Sequence, residues 1–302
     1  MTTVDPGKVT EVGKFLTDKT CPLKDRFRAL FTLRNLGGKE AIDIISSCFD
    51  DDSALLKHEL AYCMGQMQDD YAIPSLVKVL EDTSQEPMVR HEAGEALGAI
   101  GNATALPILE KYCKDPVIEV AETCQLAVQR LKWLENPEVS ELSSNPYNSV
   151  DPAPPAQHSD ITTLKNTLLD EDLSLFQRYR AMFTLRNIGN DDSVLALAEA
   201  LKCSSALLRH EIAYVLGQIQ SDVCVEQLAS NLSDKGENPM VRHECAEALG
   251  SIATKRCMKI LENYSLDNER VVKESCFVAL DMSEYENSNQ FQYADGLGRT
   301  EK

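Results

Sequence analysis

The sequence predicts an all-α fold, a helical-repeat solenoid with two pseudo-symmetric halves, on three observations. Residues Phe27–Asn35 recur, with two substitutions, as Tyr179–Asn187, which is 152 positions later. Within each half, a His-Glu pair recurs after 33 residues. No segment shows the alternation of polar and apolar residues that is typical of a β-strand. A period in the thirties that is filled with helical patterns is the signature of a helical solenoid.

The individual helices follow from apolar spacing and from the residues that interrupt it. Helices are predicted at about 8–17, 24–36, 39–49, 53–68, 72–81, 87–100, 104–113 and 117–134. The breaks carry helix-ending and helix-starting residues, such as Gly37-Gly38 and Asp115-Pro116. The Ala-Leu-Gly-x-Ile sequence within Ala93–Ile100 and Ala246–Ile252 resembles the inner helix of HEAT-like repeats. The sequence therefore predicts stacked HEAT-like helix pairs.

Composition divides the chain into four parts. Residues 1–134 form an N-terminal HEAT-like half, and residues 160–281 repeat it as a C-terminal half. The segment 135–159 holds five prolines, so we expect a flexible linker there. The tail, 282–302, is polar and lacks apolar periodicity, so we expect it to be disordered.

Charge and composition restrict the possible partners and locations. The formal net charge is −18, which makes nucleic acid a poor partner and a basic protein a good one. The chain has no apolar run long enough to span a membrane and begins without a signal-peptide apolar region. Its ten cysteines form no Cys-x-x-Cys pair, and several lie within helical patterns. The sequence therefore predicts a cytoplasmic, monomeric protein with reduced thiols.

Four of the five histidines belong to His-Glu pairs that occupy equivalent positions of the repeats. The pairs are His58-Glu59, His91-Glu92, His210-Glu211 and His243-Glu244. Since a helix turns about 100° per residue, each histidine is predicted to point away from the apolar stripe of its helix, onto one exposed surface. Glycines on that side are expected to leave the surface open: Gly65, Gly98, Gly217 and Gly250. His158, in the expected linker, is given no role.

Inherited scaffold is the alternative explanation for four identical pairs in a duplicated chain. Core positions nevertheless differ between the copies, as Leu60 and Ile212 illustrate, whereas all four pairs are identical. Two imidazoles and one carboxylate leave open coordination positions, which suits non-haem iron that reacts with O₂. A structural zinc site is usually closed and uses cysteine. Two halves joined by a flexible linker would form a two-metal centre across their interface.

Three other functions fit parts of the pattern. A non-catalytic solenoid that binds protein partners would need no stoichiometric metal. A zinc-dependent hydrolase could use the same ligands without O₂. A chromophore-lyase-like HEAT protein would explain the Ala-Leu-Gly helices but has no need of four equivalent His-Glu pairs.

The four His-Glu pairs, in two equivalent sets on HEAT-like repeats, resemble the deoxyhypusine hydroxylase family over nearly the whole chain. The resemblance implies a di-iron, O₂-dependent monooxygenase. Its substrate would be the deoxyhypusine side chain of the precursor of eukaryotic translation factor five-A, and its product hypusine. The protein partner would therefore be that precursor.

The same resemblance assigns roles to individual residues. One iron would be held by His58, His91 and Glu92, and the other by His210, His243 and Glu244. Glu59 and Glu211 would bind the substrate amines. The substrate-side candidates are Met88 and Met240, together with Gly65, Gly98, Gly217 and Gly250.

Overall fold

The computed structural model describes residues 6–137, 142–157 and 160–299, and most of these residues are helical. These residues hold seventeen α-helices and four short 3₁₀ helices, with one isolated β-bridge between Leu142 and Gln157. The predicted all-α repeat fold is confirmed. The chain forms two compact units, Met1–Leu131 with Asn289–Lys302, and Lys132–Ser288. We call them unit 1 and unit 2.

The helices that begin in unit 1 match the sequence prediction closely. They are α1 Pro6–Thr17, α2 Leu23–Leu36, α3 Gly38–Ser46, α4 Ala54–Met67, α5 Ile73–Glu81, α6 Pro87–Ile100, α7 Leu106–Tyr112 and α8 Ile118–Glu135. Only α3 ends clearly early, because residues 47–50 form a turn. Ser53 caps α4 by accepting a hydrogen bond from the Leu56 backbone N–H.

Unit 2 repeats this order of helices. They are α9 Ile161–Leu169, α10 Leu175–Ile188, α11 Asp191–Glu199, α12 Ala206–Ile219, α13 Val225–Ser233, α14 Pro239–Ile252, α15 Lys255–Tyr264 and α16 Arg270–Glu286. A final short helix, α17 Gly296–Arg299, belongs to unit 1. Ser205 caps α12 as Ser53 caps α4, so the duplication extends to the capping hydrogen bonds.

Within each unit, even-numbered helices stack side by side as an inner layer, and odd-numbered helices cover them. In unit 1, α4 packs on α6, and α5 packs on α6. In unit 2, α14 packs on both α12 and α16, and α13 packs on α14. The inner layer therefore brings equivalent positions of consecutive repeats next to each other.

Glycines allow the inner helices to approach closely. A Cβ atom on Gly65 would lie 2.7 Å from the Ala96 Cα, and one on Gly250 would lie 2.8 Å from the Ala279 Cα. The other two glycines show the same relationship, Gly98 with Ala127 and Gly217 with Ala248. The predicted open surface beneath the histidines is therefore wrong at these four glycines, because each one lies against the backbone of the next inner helix. The structure gives them a packing role.

The tail differs from the predicted disorder over its described part. Helix α16 continues to Glu286, and residues 289–299 lie against α2. Arg28 Nη1 donates to Gln290 Oε1 at 3.1 Å, and the Gly296 backbone N–H donates to Thr32 Oγ1 at 2.9 Å. Polar side chains on α2 therefore hold a segment that has little apolar periodicity of its own. Residues 300–302 lie outside the described residues.

The expected linker also contacts a helix over its described residues, 142–157. The Ala156 backbone N–H donates to the Arg180 carbonyl at 3.0 Å, and Asp151 pairs with the buried Arg186 at 2.7 Å. Ala153 is buried. The segment is therefore bound to α10, because its carboxylate neutralises a buried guanidinium. The division of the chain at 135, 160 and 282 otherwise stays a prediction.

Two further sequence predictions concern membranes and thiols. Over the part of the chain that the structure describes, every helix is too short or too polar to cross a bilayer. All ten cysteines lie in that part, and all are free thiols, as the sequence predicts.

Candidate metal centre

In unit 1, the inner layer brings two histidines together. His58 on α4 and His91 on α6 have ring centroids 5.5 Å apart, with an angle of 45° between the rings. His58 Nε2 lies 3.3 Å from Glu92 Oε2. One ligand atom each from His58, His91 and Glu92 lies within 4.8 Å of the others. His58 and the adjacent residues His91 and Glu92, which begin 33 positions later, thus form a group that could hold one metal ion.

These side chains are buried, whereas the sequence predicted an exposed surface. His58 is 3% exposed, His91 0% and Glu92 3%. The apolar stripe identifies only one buried face of α4. Neighbouring inner helices also cover the opposite face, since Gly65 brings α6 against it. Burial places the candidate ligands away from bulk water, where interactions with an ion are stronger.

The electrostatic environment of His58 favours a cation. Burial alone would lower the pKa of His58, but the carboxylates of Glu92 and Glu59 outweigh it and hold the pKa well above its usual range. His58 Nδ1 lies 3.5 Å from Glu59 Oε1. Two carboxylates beside one buried imidazole make this part of unit 1 locally negative.

Unit 2 carries an equivalent arrangement. His210 on α12 and His243 on α14 have ring centroids 5.4 Å apart. His210 Nε2 lies 3.4 Å from Glu244 Oε2. His243, Glu244 and Glu247 each offer a ligand atom within 4.8 Å of the others. Each unit therefore contains two imidazoles beside at least one buried carboxylate.

Polar residues on neighbouring positions contact the histidines, and the sequence reasoning gave them no role. Thr123 Oγ1 on α8 lies 3.4 Å from His91 Nδ1. In unit 2, Glu247 Oε1 lies 3.5 Å from His243 Nδ1, and Ser275 Oγ donates to Glu247 at 3.4 Å. Thr123 and Ser275 are 152 positions apart, so they occupy equivalent positions in the two halves. A small hydroxyl residue that recurs at this offset is the sequence signal that could have identified them. Such contacts orient a histidine so that its other nitrogen faces a metal.

The other sequence-predicted site residues lie on the same helices. Glu59 and Glu211 directly follow a ligand candidate and are buried. Met88 and Met240 stand in the first turn of α6 and α14 and are also buried. Their roles toward a substrate stay predictions. His158 lies outside the described residues.

The donor set suits a transition metal that binds nitrogen and oxygen ligands. Among the described residues, none of the groups that could hold a metal includes a cysteine, and the groups within unit 1 and within unit 2 each combine histidine with glutamate. Two imidazoles and one carboxylate per ion match the arrangement that leaves positions open for further ligands. The donor set of unit 1 therefore fits iron, and in unit 2 the group within 4.8 Å offers one imidazole and two carboxylates, His243, Glu244 and Glu247, with His210 beside them.

Family models match both halves of the chain. The model of HEAT repeats matches residues 43–129 and 194–281. The model of the PBS lyase HEAT-like repeat matches residues 25–51 and 177–203. Both models thus match each half once, in agreement with the internal duplication.

Curated relatives match nearly the whole chain. Deoxyhypusine hydroxylase from Danio rerio is 64% identical over 294 residues, which is 96% of each chain. The enzyme of that name from Homo sapiens is 63% identical over 290 residues, again 96% of each chain. A solved structure of human deoxyhypusine hydroxylase in complex with glycerol has a TM-score of 0.90 and 62% identity. It covers 93% of this chain and 97% of its own.

Proposed function

The chain belongs to the deoxyhypusine hydroxylase family, and from this premise we propose that it is a di-iron enzyme that uses O₂ to hydroxylate deoxyhypusine. The observation that carries the metal part of the proposal is the buried group of His58, His91 and Glu92. The high identity over almost the full length supports the hydroxylase activity. The donor set supports iron.

One ion would be held in each unit. In unit 1 the ligands would be His58, His91 and Glu92, whose ligand atoms are within 4.8 Å of one another. In unit 2 the proposed ligands are His210, His243 and Glu244. The short contact between His210 Nε2 and Glu244 Oε2 supports this second set. Bound iron would supply the O₂ chemistry, which amino-acid side chains cannot perform alone.

Side chains of the protein itself would orient the ligands and exclude water. Thr123 contacts His91 Nδ1, and Glu247 contacts His243 Nδ1, so each holds one imidazole in a fixed orientation. Burial of the histidines keeps bulk water away from them. The inner helices thus hold a preorganised donor set before any ion arrives.

Glu59 and Glu211 would bind the substrate. Deoxyhypusine is a long side chain with two amines, which are cationic at neutral pH. A carboxylate that is not needed for metal binding can accept charge-assisted hydrogen bonds from an amine. Two such anchors would fix which methylene group faces the metal site. Met88 and Met240 would line the path of the aliphatic chain.

The protein partner would be the deoxyhypusine-bearing precursor of translation factor five-A. A net charge of −18 would steer a basic surface of that precursor toward the enzyme. We further propose that the enzyme acts as a monomer in the cytoplasm.

The decisive experiment combines metal analysis with an activity assay. Freshly purified protein should contain about two irons per chain and should hydroxylate the deoxyhypusine-bearing precursor in air but not under nitrogen. His91→Ala should lose about half of its iron or more, and all of its hydroxylation activity. Zinc in place of iron, or turnover without O₂, would overturn the proposal.

A further inference from the structure

A buried arginine recurs in four of the repeats, and in each case it joins a helix to the preceding one. Its Nε atom donates to a backbone carbonyl ten residues earlier. The four bonds are Arg26 to Leu16 at 2.8 Å, Arg90 to Leu80 at 3.0 Å, Arg178 to Leu168 at 2.8 Å and Arg242 to Leu232 at 2.9 Å. The backbone contact is thus the same in all four repeats.

In three of these repeats the guanidinium also has a carboxylate partner 25 residues later. The pairs are Arg26–Asp51 at 2.7 Å, Arg90–Asp115 at 2.6 Å and Arg242–Asp267 at 2.6 Å, each through Nη2. Each aspartate uses its other oxygen to accept the backbone N–H two residues further on. In these three repeats an anion with two oxygens therefore joins the arginine to a backbone N–H of the following segment.

The fourth repeat has a cysteine where the other three have aspartate. Cys203 lies 25 positions after Arg178. Arg178 is 3% exposed, and its Nη2 atom has no hydrogen-bond partner among residues 6–137, 142–157 and 160–299. The Arg178 charge opposes the rise that burial causes in the pKa of the Cys203 thiol, which is half-buried. Hydrogen bonds from Ser204, whose backbone N–H donates at 2.8 Å, lower the pKa of the exposed Glu171 carboxylate, and the Arg178 charge also lowers it. Because the Nη2 atom of Arg178 has no hydrogen-bonded anion in the part of the chain that the structure describes, the desolvation of the guanidinium is not fully compensated, and this destabilises the fold.

We propose that Cys203 is a redox modification site whose sulfinate form pairs with Arg178, as Asp51 pairs with Arg26. A sulfinate is a small anion with two oxygens, like a carboxylate. Oxidation would therefore complete the ion pair that the other three repeats already have. The oxidant would be hydrogen peroxide.

The chemistry balances over two steps. In the first, the sulfur attacks one peroxide oxygen, the O–O bond breaks, and water leaves as the thiol becomes sulfenic acid. In the second, another peroxide transfers one oxygen to the sulfur and is likewise reduced to water. One thiol and two peroxides give one sulfinate, one proton and two waters. The sulfur loses four electrons, and the two peroxide molecules accept them.

The surroundings of Cys203 distinguish it from the other thiols. Burial raises the pKa of Cys203 and the Glu171 carboxylate adds to that rise, whereas the guanidinium groups of Arg178 and Arg209 oppose it. For Cys276, burial raises the pKa to about 12. Half-burial leaves Cys203 accessible to an oxidant as small as peroxide, and an anionic product would find a cation in place.

Peroxide titration of the full-length protein, followed by mass spectrometry, tests the site. We expect a two-oxygen mass increment at Cys203 and an increase in melting temperature of about 2–4 °C. Cys203→Asp should reproduce that increase without peroxide. Cys203→Ser, which cannot carry the charge, should show no increase with or without peroxide.

Cys21 is the matched control. It is also half-buried, and its charged neighbours are Asp18, Asp25 and Arg26. Arg26 is already paired with Asp51, so oxidation of Cys21 should not raise the melting temperature. In a Cys203→Asp, Arg178→Met double variant, the stabilising effect of the aspartate should disappear. A lower melting temperature after oxidation of Cys203, or Cys203 remaining a thiol while Cys276 is oxidised, would overturn the proposal. So would a Cys203→Asp variant that is no more stable than the parent.

Discussion

Glu92 on α6 reaches back to His58 on α4, with 3.3 Å between Oε2 and Nε2, so one carboxylate spans two consecutive repeats. His91, which precedes it, lies beside the same imidazole. Adjacent residues on α6 thus complete a group that begins on α4. The group exists only when the two inner helices are in contact.

Replacement of one histidine of this group should remove metal and activity together. In His91→Ala, the remaining imidazole and carboxylate are too few to hold an ion firmly, and we expect iron content to fall by about half or more and hydroxylation to be lost. Metal analysis and the hydroxylation assay measure both. His158→Ala, which replaces the one histidine that belongs to none of the four His-Glu pairs, should retain both properties. Full activity in His91→Ala would contradict the ligand assignment.

Replacement of the proposed substrate carboxylates should separate binding of the substrate from binding of the metal. Glu59→Gln and Glu211→Gln preserve size but remove the charge that would pair with an amine. We expect a rise in KM of about tenfold or more for each, since a charge-assisted hydrogen bond contributes about 1.5–3 kcal/mol. Iron content should stay at the parent value. Loss of iron in either variant would instead make that glutamate a metal ligand.

The glycine contacts between inner helices predict large stability effects from a single methyl group. Gly250→Ala would place a Cβ 2.8 Å from the Ala279 backbone, so the helices would have to separate. We expect a loss of about 1–3 kcal/mol in the free energy of unfolding, as for other overpacked cores. Urea denaturation measures it. Gly298→Ala, with nothing within 4 Å of the new methyl group, should leave stability within about 0.5 kcal/mol.

The tail should contribute measurably to the stability of unit 1. The Tyr293 ring meets Phe31 edge-on at 5.9 Å and lies 4.4 Å from the Arg28 guanidinium. Tyr293→Ala should therefore lower the free energy of unfolding by about 1–3 kcal/mol. Phe291, two residues away, is 96% exposed, so Phe291→Ala is the matched control and should have little effect. Equal effects of the two substitutions in urea denaturation would mean that the tail does not bind α2 in solution.

The arginine–aspartate pairs predict a loss of stability in acid. The hydrogen bond from Arg242 holds the pKa of Asp267 below its usual range. The folded state therefore releases the proton of Asp267 more readily than the unfolded state, in which the pKa of an aspartate is about 3.9. The resulting stability is fully present above that pH and is lost as the pH falls through the folded-state pKa. Urea midpoints between pH 7 and pH 3 should fall for the parent and less steeply for Asp267→Asn. If the urea midpoints of the parent and of Asp267→Asn fell equally with pH, the Arg242–Asp267 pair would not be a source of the acid sensitivity.

The repeat architecture could be predicted from the sequence because its signals are local. Helix boundaries depend on residues such as Ser53 and Pro87, which act on the turn that contains them. The offset of 152 residues then places the second set of helices without any further information. The metal candidates followed from the same register, since the four His-Glu pairs occupy equivalent positions.

What the sequence alone did not give was the environment of those positions. Helical periodicity identifies one buried face, and it predicted His58 and His91 to be exposed. Their burial depends on the approach of α4 and α6, which Gly65 permits. The contact of Thr123 with His91 depends on α8 in the same way.

The sequence by itself determined which residues are helical, how the repeats are arranged and which side chains are candidates for metal binding, because these depend on neighbours along the chain. Only the tertiary structure decided that His58 lies beside Glu92, that Arg178 lacks the aspartate that Arg26 has, and that Tyr293 binds near Arg28. Arg28 and Gln290 are separated by 262 residues, and no local pattern encodes a contact over such a distance. Such contacts form because an unpaired buried charge is unfavourable, so it is paired with whichever group lies near it in the folded chain, however distant that group is in sequence.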